Sequence, residues 1–229
     1  MQIDRLSLRG FRNYEDAQAQ FVPGVYLLVG GNANGKTNLL EAVSYLSTGR
    51  SFRTRREAEL IRFGADFAEL RAQVQSQERT RELRAVLFTG RRPRQLWLAG
   101  VRQRSRAALS GVLTSVLFCP EDLMILKKGA AGRRRLMDGV ICQLRPNYEA
   151  ALAEYGRLLD QKSALLRERY DNPSLLQVLP EYDLRMAQTG ALVISYRARY
   201  VKALAQEAAR YHREFSGDSE TLELTYRTV

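Results

Sequence analysis

A single histidine in 229 residues leaves nothing on which to build a histidine-based metal site or catalytic base, and that residue, His212, falls within a long helical pattern. Two cysteines, Cys119 and Cys142, are too few and too far apart for a disulfide framework or a zinc site, and read as small buried residues in a reducing compartment. No apolar run approaches the ~20 residues that span a bilayer, and the opening Met1-Gln2-Ile3-Asp4-Arg5 has no apolar signal core. The expectation is a cytoplasmic protein with no membrane partner. Acidic residues are the remaining shortage. Residues 1–145 hold 25 Lys/Arg against 13 Asp/Glu, whereas residues 146–229 hold 11 against 12. The formal charge of +11 therefore arises wholly in the first part, nearly all of it from arginine. Arginine clusters suit bidentate contact with phosphate, and so many of them point to a polyanionic partner, with nucleic acid the natural choice.

What the sequence does contain is centred on Gly30-Gly31-Asn32-Ala33-Asn34-Gly35-Lys36-Thr37, which fits the phosphate-loop pattern G-x-x-x-x-G-K-[ST]. The flanks agree with that pattern. Val25–Val29 is an apolar run suited to a buried strand, and Leu39, Leu40, Val43 and Leu46 recur at helical spacing. Gly30, Gly31 and Gly35 permit the backbone to turn its N–H groups onto one anion, and the helix N-terminus adds its dipole at the same point. Lys36 supplies a cation for the outer phosphates and Thr37 a hydroxyl for Mg2+. The pattern predicts nucleoside triphosphate binding.

Around the loop, Leu6 and Leu8, then Ala17, Ala19 and Phe21, alternate as strands. Between them Phe11-Arg12-Asn13-Tyr14 reads either as an ordinary loop with one buried aromatic or as a segment placing Arg12 and Asn13 beside the nucleotide. A short helix is expected at Glu57–Phe63. Ala68, Leu70, Ala72 and Val74, then Leu83, Ala85 and Leu87, then Leu96 and Leu98, alternate as an antiparallel sheet with a basic tip at Gly90–Arg94. A buried strand is expected at Val112–Phe118, followed by Cys119-Pro120-Glu121-Asp122 as a loop. Helices follow: one opened by Arg133-Arg134-Arg135 with Leu136, Val140 and Ile141 inward, one from Pro146 with Tyr148, Leu152, Tyr155, Leu159 and Leu166, and a long one over about Glu181–Phe215. The last carries Leu184, Ala187, Ala191, Ile194, Ala198, Val201, Leu204, Ala208, Tyr211 and Phe215. Its length suits a packed helical lobe better than an extended coiled coil. Thr221–Tyr226 reads as an edge strand. The arginine clusters offer Arg53, Arg55, Arg56, Arg91, Arg92, Arg94, Arg133, Arg134 and Arg135 as DNA contacts.

Taken in order, Phe11-Arg12-Asn13-Tyr14, Gly35-Lys36-Thr37-Asn38-Leu39-Leu40-Glu41-Ala42, Ser51-Phe52-Arg53, Phe118-Cys119-Pro120-Glu121-Asp122-Leu123 and Arg134-Arg135-Leu136-Met137-Asp138 resemble the RecF family of bacterial recombination-mediator ATPases across the whole chain. That family is akin to the heads of structural-maintenance-of-chromosomes proteins. The resemblance implies an α/β fold: a P-loop NTPase of the ATP-binding-cassette head type, with an antiparallel β subdomain and a helical lobe, and with the C-terminal part of the head missing. Residues 1–107 would form the ATP-binding lobe and 108–229 the helical lobe. ATP would be held by Gly30, Gly31, Asn32, Ala33, Asn34, Gly35, Lys36 and Thr37 together with Arg12 and Asn13. Mg2+ would be held by Thr37, with Glu121 as a further candidate.

The resemblance also implies a role in recombinational repair, replication-fork maintenance and the SOS response. The partners it implies are single-stranded or gapped DNA, the RecR and RecO mediators in recombinase loading, and a second copy in an ATP-dependent homodimer when full length. The family's signature loop, its apolar strand ending in Asp-Glu and its switch histidine have no counterpart here. The weak DNA-stimulated ATPase of the full-length family is therefore expected to fall to little or no hydrolysis. Two other classes fit parts of the sequence. A small nucleoside-type kinase would use residues 133–135 as an arginine lid, though so long a helix is foreign to it. A structural coiled-coil fragment would make no use of Lys36.

Overall fold

The computed structural model describes residues 1–76, 79–125, 127 and 129–228, with Glu121 described by its backbone alone. The chain divides into two compact units, Met1–Met124 and Ile125–Val229. Val112 and Leu113 are buried in the core of the first unit, which carries its boundary beyond residue 107.

In the first unit, strands β1 (Gln2–Phe11), β2 (Tyr14–Gln20), β3 (Phe67–Ser76), β4 (Arg79–Phe88), β5 (Gln95–Leu98) and β6 (Val101–Gln103) form one sheet in the order β2-β1-β3-β4-β5-β6. Each pairing in this order is antiparallel. The period-two pattern decides which way each side chain faces. Leu6 lies opposite Ala72, Leu8 opposite Leu70, and Leu70 opposite Ala85, so the apolar positions share one side. Helix α1 (Lys36–Thr48) buries Ala42, Tyr45 and Leu46 in the same core. Each fully buried leucine there contributes roughly 1.5–3 kcal/mol of apolar transfer. The helix closes at Gly49, whose φ of 63° is left-handed and whose N–H reaches Tyr45 O at 2.7 Å.

Several expected elements differ. Val25–Val29 forms no strand, and Val25, Leu27 and Val29 are 100%, 87% and 81% exposed. An apolar run becomes a strand only against a ladder partner, and no strand pairs with this one among the described residues. Val112–Phe118 also forms no strand: Val112 and Leu113 are buried, but Val116 and Phe118 are exposed. Thr221–Tyr226 is likewise unpaired. The helix expected at Glu57–Phe63 is a single 3-10 turn, Glu57–Leu60, ended by a backbone bridge from Ile61 to Phe11. After Pro120 the chain forms another 3-10 turn, in which Asp122 accepts the N–H of Cys119 at 2.9 Å.

The second unit contains α2 (Gly129–Leu144), α3 (Pro146–Glu168) and α4 (Leu179–Ser216). Its core is Ile141, Cys142, Tyr148, Ala151 and Val193, flanked by Met137, Leu152, Tyr196 and Tyr200. Helix α2 begins at Gly129, so Arg133, Arg134 and Arg135 lie beyond its first turn rather than opening it. The expected apolar stripes hold in part: Ile141, Tyr148, Leu152 and Val201 face inward as expected, and other positions do not. Leu136, Leu159, Leu184 and Ile194 are exposed, while Met137 packs on the core and Leu158 and Val193 are buried. A leucine at the right spacing marks a helix, but the packing partner decides which neighbour is covered. At 38 residues α4 also outruns the 23 of α3, and Tyr211 and Phe215 near its end are exposed.

Candidate functional site

Gly35 caps α1 with φ 92°, so the chain turns from the phosphate loop straight into the helix N-terminus. A Cβ at Gly35 would lie 2.8 Å from the Asn13 amide group and 2.9 Å from the Tyr14 hydroxyl, and the left-handed φ strains any other residue there. Ala33 also takes a left-handed φ of 66°. This costs a non-glycine residue roughly 1–2 kcal/mol and has to be sustained by its surroundings. The surroundings are the hairpin between β1 and β2. Asn13 Nδ2 donates to Ala33 O at 3.4 Å, and Tyr14 Oη donates to Gly35 O at 3.1 Å. Lys36 Nζ donates to Gly30 O at 2.7 Å and Gly31 O at 2.6 Å, so its ammonium already lies over the loop. The first turn of α1 holds no acidic residue, leaving its positive end uncompensated within the helix. Thr37 is exposed in that turn.

Beneath the loop is a carboxylate that sequence reasoning did not single out. Glu41 is fully buried on α1. Its Oε2 accepts Arg12 Nε at 2.9 Å and Arg53 Nη1 at 3.3 Å; its Oε1 accepts Arg12 Nη2 at 2.8 Å and the Ser51 hydroxyl at 2.5 Å. Burial pushes the carboxyl upward. The hydrogen bonds from Arg12 and Ser51 and the charges of Arg12 and Arg53 outweigh that push and hold it below the ordinary 4.5. Arg12 is held further by Glu59 O at 2.7 Å, which sustains its own left-handed φ of 53°. From Glu41 a continuous relay reaches the loop. Arg53 Nη1 donates to Asn38 Oδ1 at 2.7 Å, Asn38 Nδ2 donates to Asn13 Oδ1 at 2.8 Å, and Asn13 holds Ala33. The signal available in sequence was a glutamate on the apolar face of a helix, where only a paired charge can remain.

The structure thus brings Asn13 onto the phosphate loop, while Arg12 and Arg53 meet on Glu41 of α1. Arg55 and Arg56 are exposed in the following segment. At the β4–β5 tip Arg91 is exposed and Arg92 stacks on Phe88, its guanidinium carbon 3.8 Å from the ring centre. Arg94 is engaged within the fold. It donates to Tyr45 Oη at 3.2 Å and Gly49 O at 2.9 Å and pairs with Glu57, tying the tip to the end of α1. Arg133, Arg134 and Arg135 are exposed on α2, in the other unit. The side chain of Glu121 lies outside the described residues.

A glycine-cornered loop feeding a helix, stapled by the first hairpin of an antiparallel sheet and accompanied by a helical lobe, is the arrangement of a P-loop head of the ATP-binding-cassette fold. A family model described as an AAA domain matches residues 5–115. The DNA replication and repair protein RecF of Symbiobacterium thermophilum is 40% identical over 229 residues, covering all of this chain and 60% of its own length. RecF of Nostoc punctiforme is 37% identical, with 99% of this chain and 61% of the relative covered. A solved structure of the recombination mediator protein RecF with ATP superposes with a TM-score of 0.82 at 29% identity, covering 94% of this chain and 58% of that one. The chain is similar over its whole length to curated RecF proteins, and it spans about 60% of the length of those relatives.

Proposed function

We propose that this chain is the nucleotide-binding portion of an ATP-switched DNA-binding protein of recombinational repair and replication. The observation that carries this reading is the phosphate loop itself. Its left-handed Ala33 and Gly35 are held by Asn13 and Tyr14, and Lys36 spans the carbonyls of Gly30 and Gly31. The backbone N–H groups of residues 31–36 would cradle the phosphates, and the Lys36 ammonium would exchange its two carbonyls for phosphate oxygens. Arg12 and Asn13 would border the nucleotide from the hairpin.

The described residues contain no cluster of three or more His, Cys, Asp or Glu able to hold a metal. Mg2+ fits nonetheless, because it keeps several waters and takes substrate phosphates plus one or two protein oxygens. The Thr37 hydroxyl would be one of these, with Glu121 a candidate for another. The metal would neutralise charge between the outer phosphates.

The names of the relatives support a role in DNA replication and repair. The arginine excess of residues 1–145 supports contact with single-stranded or gapped DNA, for which Arg53, Arg55, Arg56, Arg91, Arg92, Arg94, Arg133, Arg134 and Arg135 are candidates. Cooperation with RecR and RecO, and ATP-dependent pairing of two copies of the full-length protein, complete the reading. ATP then acts mainly as a switch, with little turnover.

Calorimetric titration of ATP with Mg2+ tests this directly. Binding to the wild-type chain should weaken about 100-fold in Lys36→Ala, the loss of charge-assisted bonds worth roughly 1.5–3 kcal/mol each. Equal affinity in the two proteins refutes the site, and transfer of labelled phosphate to a nucleoside would replace this reading with the kinase.

A further inference from the structure

We propose that the face of the six-stranded sheet turned away from the apolar core is a platform for single-stranded nucleic acid, centred on Trp97. The register sets a row of side chains across the strands on this face: Ser7 on β1, Arg71 on β3, Arg84 on β4, Trp97 on β5 and Arg102 on β6. Arg71 and Arg84 are direct cross-strand partners. Like charges so placed are destabilising unless compensated. The compensation visible here is Glu69, which bonds Arg71 at 3.0 Å and 3.1 Å and also pairs with Arg84.

Beside this row the same face carries Arg5, paired with Gln73, and Arg9, paired with Glu69. Among the described residues its carboxylates are Asp16, Glu69 and Glu82, fewer than its arginines. Three aromatic rings lie among those arginines, each with a guanidinium over it. Arg84 is 4.4 Å from the centre of Trp97, Arg92 is 3.8 Å from Phe88, and Arg9 is 5.6 Å from Phe67. Phe67 and Phe88 are themselves cross-strand partners.

Arginines interleaved with planar rings on one face are what an unpaired strand requires. Its phosphates meet the cations, and its bases stack on aromatic or guanidinium planes. A duplex hides its base faces and gains nothing from the rings. Apart from Arg92, none of these residues belongs to the arginine clusters read from the sequence, because the row is assembled from five strands.

The proposal rests on the nucleic-acid half of the reading above and not on its ATP half. Trp97 is the chain's one tryptophan, so its emission reports on this face alone. On titration with a short oligothymidine, Trp97 fluorescence should quench saturably. Arg5→Ser combined with Arg102→Ser, both exposed positions, should weaken binding about 10-fold. It should also reduce the log–log salt slope by about 1.4, at roughly 0.7 per phosphate contact on a single strand. Arg157→Ser with Arg167→Ser removes the same charge from α3 and should leave both quantities unchanged. The proposal is overturned if oligothymidine binds with Trp97 emission unaltered, if the Arg5/Arg102 variant binds as wild type does, or if a duplex of equal length binds more tightly. If neither form of DNA binds, the proposal falls together with the nucleic-acid half of the function, while ATP titration still judges the other half.

Discussion

Glu41 is the residue on which the loop's surroundings converge. Its carboxylate is fully buried and the Arg12 side chain it pairs with is only 17% exposed, so removing one charge leaves the other without compensation in a poorly hydrated position. Glu41→Gln keeps the volume and should cost about 3 kcal/mol in urea denaturation at pH 7. The pH dependence has a definite sign. A carboxyl held below 4.5 in the fold contributes stability at pH values above 4.5 and loses it as pH falls through the lower folded value. The gap between wild type and variant should therefore be constant from neutrality down to about pH 5 and narrow in stronger acid; a gap that widens on acidification contradicts the assignment. Lys36 and Thr37 were legible in the sequence because a phosphate cradle demands a fixed order of residue types along the chain. Glu41, Asn38 and Tyr14 were not, because their roles depend on partners brought together from separate segments.

Among the elements, the hairpins were the most legible and the isolated apolar runs the least. Leu70, Ala72 and Val74 alternate with charged neighbours, a pattern only a half-buried strand satisfies, and β3 and β4 appear where they were expected. Val25–Val29 has strand composition but no alternation to say what would lie beside it, and composition does not supply a ladder. In the helical unit, spacing located all three helices, while the packed face had to come from contacts. One such contact locks the helices together. Asp138 on α2 accepts Arg197 of α4 at 2.9 Å and 2.8 Å, and the fully buried Tyr148 of α3 donates to the same carboxylate. Burial, together with the neighbouring Asp138, pushes the Tyr148 hydroxyl well above its usual range, so it remains a donor at any working pH. Asp138→Ala should strip Arg197 of its carboxylate and destabilise the second unit by about 3–5 kcal/mol. Helical circular dichroism, which α2, α3 and α4 dominate, would show an early loss on heating; an unshifted transition would mean that the lock is dispensable.

Across the molecule, the division between Met124 and Ile125 separates two hydrophobic clusters, one built on the sheet and α1, the other on Ile141, Tyr148 and Val193. The sequence anticipated two lobes but placed the division earlier, because an apolar stretch such as Val112-Leu113 gives no sign of which core it will join. Independent clusters follow independent thermodynamics: a single melting midpoint is not a well-defined quantity for such a chain. A calorimetric thermogram should resolve two endotherms, and a triphosphate bound at the loop should raise only the one belonging to Met1–Met124, by about 2.7 kcal/mol at a hundredfold excess over Kd. The nucleotide would then serve as an isotope does in a mixture, marking one half of the melt and leaving the other to act as the built-in reference.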